Sequence, residues 1–278
     1  MGATPNMAGR VVLVTGASRG IGKGVALALG DAGATVYVTG RTERTEDATV
    51  PLSGTIHETA ALVTQAGGVG HAVRCDHSDD GRVAAVFARI MEEQGRLDVL
   101  VNNAWAGYQA KQRGKGSGFQ TAFWKAPPTM WDSMFTVGAR SHYVASVYAA
   151  TIMVRQGTGL IVQMSAGAGQ NYSGNVAYGV SKAAVNRMAT DMAYELRAAN
   201  VTVLALCPLI VATEMIMAHR KSPRLEKWME TPWFVGRVVL ALATDSRIME
   251  KTGHTCMTRA LAAEYGFTDV GGHQPKWP

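Results

Sequence analysis

An α/β fold, a doubly wound parallel sheet in three α/β/α layers, is the architecture that this 278-residue sequence predicts. Three observations carry the expectation. Apolar runs alternate with helical patterns from residue 11 onward, and strand, helix, strand repeated this often implies right-handed crossovers between parallel strands. The runs are nearly continuous Val, Leu and Ile, as in strands buried on both faces. The first run also passes through a glycine-rich turn straight into a helix.

The elements follow in order. VVLVTG (11–16) is a strand, and a helix runs from Ile21 to about Asp31 with Ile21, Val25 and Leu29 on its buried face. ATVYVTG (34–40), a helix near 55–66, HAVRCD (71–76) and a helix at about 79–94, capped by Ser78 or Asp79, continue the alternation. Next come LDVLVNNA (97–104), one long helix at about 129–154, GLIVQMSA (159–166), a helix at about 176–198 and VTVLALCP (201–208). A shorter helix near 232–243 and a last strand near 254–258 complete a single domain over 1–278.

Two stretches interrupt the rhythm, AGYQAKQRGKGSGFQTAFWKAPP (106–128) and ATEMIMAHRKSPRLEKWMETPW (212–233). Both leave carboxyl ends of strands, where ligands bind in open α/β sheets. Residues 105–130 and 212–233 are therefore the candidate substrate loops. Residues 106–118 read equally well as a plain surface loop. Phe119, Phe123, Trp124, Met215, Met217, Trp228 and Trp233 read as a substrate wall or lid, since exposed they would leave apolar surface in water.

Composition excludes several classes. With 47% hydrophobic and 17% charged residues the chain is globular rather than disordered. No stretch approaches 18 uninterrupted apolar residues and the first ten residues hold no apolar run, so neither a membrane span nor a secretory signal is expected, and the location expected is cytoplasmic. Cys75, Cys207 and Cys256 lie in apolar runs without paired spacing, which favours reduced core thiols. CDHSDD (75–80) reads as a strand end and a helix cap rather than a metal cluster. His57, His71, His219, His254 and His273 show no ligand spacing, so no metal is expected. The net charge of +6 comes from scattered residues such as Arg10, Arg44, Lys111 and Arg220. Without a basic stripe interleaved with aromatics it suits an anionic small molecule rather than nucleic acid.

Three clusters carry chemistry. TGASRGIG (15–22) places glycines where a backbone must approach phosphate, and the following helix start supplies unpaired N–H groups. At the end of the second strand a dinucleotide site for NAD usually has Asp or Glu, whereas here Arg41 follows Gly40, with Arg19 in the first loop and Thr42 beside it. Two guanidiniums suit a 2′-phosphate through bidentate pairing, so the cofactor expected is NADP(H). AYGVSK (177–182) sets Tyr178 and Lys182 four apart on one helix face, where an ammonium favours the phenolate. Ser165 ends the preceding strand and reaches the same pocket. One oddity remains in MFTVGARSHY (134–143): Gly138 stands inside a predicted helix, at a cost of about 1 kcal/mol relative to Ala.

TGASRGIG, NNA (102–104), Ser165 and YGVSK, in that order, resemble the short-chain dehydrogenase/reductase superfamily over essentially the whole chain. RLDVLVNNAWAG, AFWKAPPTMWDSMFTVGARSHY and ELRAANVTVLALCPLIVATEM resemble one branch of it. The resemblance implies a Rossmann-like domain that moves a hydride between NADP(H) and a carbonyl or secondary alcohol. Tyr178 would be the acid or base, Lys182 would lower its pKa and hold the nicotinamide ribose, and Ser165 would bond the substrate oxygen. Gly16, Ser18, Arg19, Gly20, Ile21 and Gly22 match the phosphate loop, Asp76 with His77 the adenine side, Asn103 with Ala104 the ribose side, and Pro208, Val211 and Thr213 the carboxamide side. Leu209 stands where the family usually has glycine. Gly138 stands where many members carry an asparagine that holds a water beside the catalytic lysine. Water relayed by backbone carbonyls, a neighbouring helix or substrate filling the space, and a weakened catalyst are the three ways to read that glycine. An NADP(H)-binding scaffold or redox sensor is the corresponding alternative function. The substrate expected is bulky and apolar, steroid-like or xenobiotic. The superfamily habit of pairing through the two long helices implies a homodimer or homotetramer.

Overall fold

Strands form where aliphatic residues run together, and seven of them make one parallel sheet in the computed structural model, which describes residues 6–48, 50–107, 121–219 and 228–275. They are β1 (Val11–Val14), β2 (Thr35–Gly40), β3 (Val69–Arg74), β4 (Val99–Asn102), β5 (Gly159–Met164), β6 (Val201–Cys207) and β7 (Thr255–Met257). The order is β3-β2-β1-β4-β5-β6-β7. It reverses between β1 and β4, and the crevice at their carboxyl ends is the place for a ligand.

Alternation within each strand builds the two outer layers. Val12, Val14, Val36, Val38, Val101, Val162 and Leu206 face one core, with α1 (Gly20–Asp31), α2 (Ile56–Gln65) and a helix over Pro232–Thr244. Val11, Leu13, Tyr37, Leu100, Ile161 and Val203 face the other, with α3 (Asp80–Gln94) and the helices Ser141–Gln156 and Val176–Leu196. The remaining helices are Thr129–Phe135, Glu214–His219 and Thr258–Glu264. In chain order after α3 these become α4 (Thr129–Phe135), α5 (Ser141–Gln156), α6 (Val176–Leu196), α7 (Glu214–His219), α8 (Pro232–Thr244) and α9 (Thr258–Glu264).

Side-chain caps start the helices where polar residues precede apolar ones. Thr55 accepts from Glu58 N–H, Asp79 from Gly81 and Arg82 N–H, and Thr231 from Phe234 N–H. Helices α1 and α8 approach closely because glycines face each other: a Cβ on Gly236 would lie 2.5 Å from the Gly24 carbonyl oxygen. None of the helices among the described residues is long and apolar enough to cross a membrane.

Two expectations need correction. The single helix at 129–154 is broken: α4 ends at Phe135, Thr136–Arg140 form a π turn, and α5 begins at Ser141. Val137 sits at φ −113° and ψ 39°, outside helical values, and a π turn of this kind often marks a functional site. Arg140 pins the turn to the start of α3 through two hydrogen bonds to Asp80, at 2.7 and 2.6 Å. The strand predicted at 97–104 is also shorter, because Asn103 and Ala104 leave the ladder and turn their N–H groups to the Thr15 hydroxyl, at 2.9 and 3.0 Å.

Of the candidate substrate loops, 108–120 with Phe119 and 220–227 lie outside the described residues. Phe123 and Trp124 are exposed and pack edge-on against each other, with centroids 5.4 Å apart. Among the described apolar residues expected to wall the substrate, only Met215 lines the cleft at the carboxyl edge of the sheet.

Candidate active site

The cleft is built where β1 to β5 end, with Thr213–Met215 of the segment after β6 on its edge. Thr15 is its hub: the hydroxyl accepts from two N–H groups of the β4 turn and donates to Val101 O at 3.3 Å. The Asn103 amide donates to the carbonyls of Thr15 and Gly16, at 2.9 and 3.0 Å. Asn103 thus clamps the glycine turn. Glycine is needed there on geometry: Gly16 has φ +65°, and a Cβ on it would lie 2.7 Å from Ala104 Cα. A Cβ on Gly22 would lie 2.6 Å from the Asn103 amide nitrogen.

At the head of α1, the Gly20 N–H donates to the Glu214 carboxylate, at 2.9 and 3.3 Å. A negative group is favoured there by the unpaired N–H groups and the helix dipole. The Arg19 guanidinium turns the other way and donates to the backbone oxygens of Leu52, Ser53 and Gly54, at 3.3, 3.0 and 2.7 Å. It holds that segment as a wall, with Val50 and Leu52 on the cleft. Arg41 lies 3.9 Å from the Asp76 carboxylate and is half-exposed at the cleft. Asp76 itself accepts from the Ser78 N–H and hydroxyl, at 3.0 and 2.7 Å. His77 is buried against the Thr39 hydroxyl at 2.9 Å, and burial pushes its pKa down to about 4.

The second half of the cleft holds Ser165, Tyr178 and Lys182. Ser165 follows β5, its N–H bonded to Leu206 O at 2.8 Å and its hydroxyl donating to Lys182 O at 3.3 Å. Asn175 caps α6 by accepting from the Tyr178 N–H at 2.9 Å, which sets the first turn. One turn later the Lys182 ammonium reaches under β5 to Met164 O at 3.0 Å, 6.0 Å from the centre of the Tyr178 ring. Burial pushes the Lys182 pKa down to about 8. Behind it His142 is fully buried, its Nε2–H donating to Ala104 O at 3.2 Å, and desolvation first and the Lys182 charge second push its pKa down to about 3. Its imidazole is therefore neutral at physiological pH.

Gly138 is explained by a side chain that the helical pattern did not reveal. A Cβ there would lie 3.1 Å from Cδ1 of Trp105, whose indole stands against the Tyr178 ring, with centroids 5.5 Å apart and planes at 59°. The atoms that a Cβ at Gly138 would meet belong to the β4–α4 connection.

Of the residues expected at the site, Gly16, Ser18, Arg19, Gly20, Ile21, Arg41, Thr42, Asp76, His77, Asn103, Ala104, Ser165, Tyr178, Lys182 and Thr213 line the one cleft. Gly22, Pro208 and Val211 do not line it. Val211 is buried, in an isolated parallel bridge with Glu230. Trp105, Glu214 and Glu230 were missed. Their partners come from distant segments, so no local pattern marks them.

Glu230 supports the turn that follows β6. It is fully buried, its Oε1 accepts from the Thr258 hydroxyl at 2.5 Å and its Oε2 is buried without a hydrogen bond. Burial pushes its pKa from 4.5 up to about 7, against the Thr258 hydroxyl and the Leu209 N–H, which favour the carboxylate. The raised folded pKa means that stability is full below pH 4.5 and is lost as pH rises to about 7, by about 3 kcal/mol. Glu230→Gln is expected to flatten that slope in denaturant melts between those pH values. A slope equal to that of the parent would contradict the buried, protonated carboxyl.

A glycine-rich turn into α1 beside a Ser, Tyr and Lys set at the ends of β5 and α6 defines a class. The chain belongs to the short-chain dehydrogenases: the model of the short chain dehydrogenase family matches residues 10–224. That class comprises oxidoreductases that use a nicotinamide cofactor. The chain is 43% identical over 97% of its length to dehydrogenase/reductase SDR family member 1 of Mus musculus, covering 86% of that protein, and 42% identical over 96% to its Homo sapiens counterpart, covering 85%. This is the branch that the three longer stretches resemble. Among solved structures it is similar to a short-chain type dehydrogenase/reductase from Mycobacterium marinum, with a TM-score of 0.75, 25% identity, and coverage of 91% of this chain and 94% of that one.

Proposed function

We propose that this chain is an NADP(H)-dependent oxidoreductase that interconverts a bulky apolar ketone or aldehyde and its alcohol. The observation that carries the reading is the convergence of Ser165, Tyr178 and Lys182 on the cleft that also receives the glycine turn and the head of α1.

The residues present fit the cofactor. Gly16 and Gly22 leave a cradle that a Cβ would fill, and the Glu214 carboxylate stands at the head of α1 as a stand-in for an anionic phosphate. Gly16, Ser18, Gly20 and Ile21 would hold the pyrophosphate, Asp76 and His77 the adenine side, Asn103 and Ala104 the ribose side, and Thr213 the carboxamide. With the Arg19 guanidinium engaged by the Leu52–Gly54 backbone, the preference for a 2′-phosphate leans on Arg41 and Thr42. When bound, the nicotinamide supplies or accepts the hydride.

The chain's own groups manage the oxygen. Ser165 presents a hydroxyl to the substrate oxygen, and Tyr178 donates a proton to it during reduction and takes one back during oxidation. Lys182, desolvated and anchored to Met164 O, favours the phenolate over the phenol. Trp105, Val137 and Met215 give the cleft an apolar wall. Exposed Tyr143 and Val147 on α5 and Val176 and Val180 on α6 favour pairing of copies into a homodimer or homotetramer. The chain's location is read as cytoplasmic. A panel of carbonyl substrates followed by NADPH absorbance tests the activity. Absence of NADPH oxidation with every ketone and aldehyde would favour the scaffold reading.

The stand-in carboxylate makes its own prediction. Because Glu214 holds the N–H that a phosphate would take, Glu214→Gln is expected to tighten NADPH binding about two- to fivefold in a fluorescence titration. Unchanged or weaker binding would show that the carboxylate does not compete.

A further inference from the structure

Trp105 lies in the connection after β4, and its indole is fixed on three sides. A Cβ on Gly138 would approach Cδ1 to 3.1 Å and Nε1 to 3.7 Å, so any side chain at 138 requires the indole to move. Gly107 is more restrictive still: a Cβ there would fall among the atoms of the six-membered ring of Trp105. Met130, Met134 and Phe135 pack the same small cluster as Trp105 and Tyr178. The π turn holds Gly138 in register through the Arg140–Asp80 pair. The indole also stands against the Tyr178 ring, at 5.5 Å between centroids and 59° between planes, within the range of favourable aromatic pairs.

We infer that Trp105 is the positioning residue of Tyr178, seated in a slot made by Gly107 and Gly138. The inference rests on the catalytic role proposed for Tyr178. A tyrosine side chain swings about two torsions, and the Asn175 cap acts on its backbone. The indole acts on the ring itself, where a misplacement of the hydroxyl by about 1 Å costs on the order of a hundredfold in rate. Gly138 is then the condition for Trp105, and neither position can be read without the other. Trp105 also presents an apolar face on the cleft next to Val137, which suits a flat, apolar carbonyl substrate.

The test is a double-mutant cycle in the full chain, with NADPH and a carbonyl that the parent reduces, and melting temperatures measured alongside. Trp105→Ala is expected to lower kcat about tenfold to a hundredfold, to leave the KM for NADPH unchanged, and to shift the pH profile of kcat. Trp105→Phe should recover most of the loss, since a flat ring returns to the slot. Gly138→Asn should lower kcat by a similar factor, yet add less than about twofold when introduced into Trp105→Ala, because the group it collides with is gone. If Trp105→Ala does not fold, Trp105→Leu, which keeps apolar bulk without a flat ring, takes its place in the cycle with the same expected loss. A parent-like kcat and pH profile in Trp105→Ala, or losses that simply multiply in the double variant, would overturn the inference while leaving the proposed function standing. A parent that reduces no carbonyl overturns both.

Discussion

Replacing Tyr178 by Phe is expected to lower kcat for carbonyl reduction by roughly 10²- to 10⁴-fold, the range that a positioned acid or base contributes. NADPH binding should stay near the parent value, because the cradle of Gly16 and Gly22, the head of α1 and Arg41 are untouched. The same kinetics carry a second reading. Lys182 is buried, with its pKa pushed down to about 8, so its ammonium is present below that pH and is lost above it. The kcat/KM for reduction in the parent should therefore fall on the alkaline side from about pH 8. Full-rate turnover by Tyr178→Phe would refute the assignment of the acid. A flat profile through pH 9 would separate Lys182 from the chemistry.

The second large effect is expected at Arg41. Charge-assisted hydrogen bonds from one guanidinium contribute about 1.5–3 kcal/mol, so Arg41→Asp should weaken NADPH about tenfold to a hundredfold. NADH, which has no 2′-phosphate, should be little affected or improved by a carboxylate near a free hydroxyl. Arg19 makes this sharper. Three of its hydrogen bonds go to backbone oxygens of residues 52–54, and its charge is partly desolvated there, which lowers its pKa. Removing Arg41 therefore removes the guanidinium that lines the cleft just after β2. Equal losses for the two cofactors in steady-state kinetics would contradict a phosphate-reading Arg41.

These residues also show which parts of the molecule were legible in the chain. The sheet was readable because each strand is an aliphatic run: Val12 and Val14 serve one core while Val11 and Leu13 serve the other, and both faces need the same residue types. The glycine turn, Ser165, Tyr178 and Lys182 were readable because their chemistry depends on residue type and short spacing. The Thr15 hub and the Asn103 clamp were only half visible. The sequence shows both residues, but the hydrogen bonds between β1 and β4 exist only after those strands pair. Gly138 was visible as an anomaly and invisible as an answer, since the indole that fills its space is contributed by another segment. Glu214 and Glu230 look like ordinary acidic residues in a Met-rich stretch. One acquires its role by reaching the head of α1, the other by being buried beneath the turn after β6. Periodicity predicted one helix through 129–154. The π turn at Thr136–Arg140 interrupts it where Gly138 packs against Trp105, a requirement that 3.6-residue spacing cannot express.

The most direct measurement follows the hydride itself. With 4-deuterated NADPH and an apolar ketone, the parent should deliver deuterium to the carbinol carbon of the alcohol in a single turnover, while Tyr178→Phe binds the same cofactor and delivers almost none. Label that stays on the nicotinamide in the parent, or that transfers equally well in Tyr178→Phe, would contradict an oxidoreductase centred on Ser165, Tyr178 and Lys182.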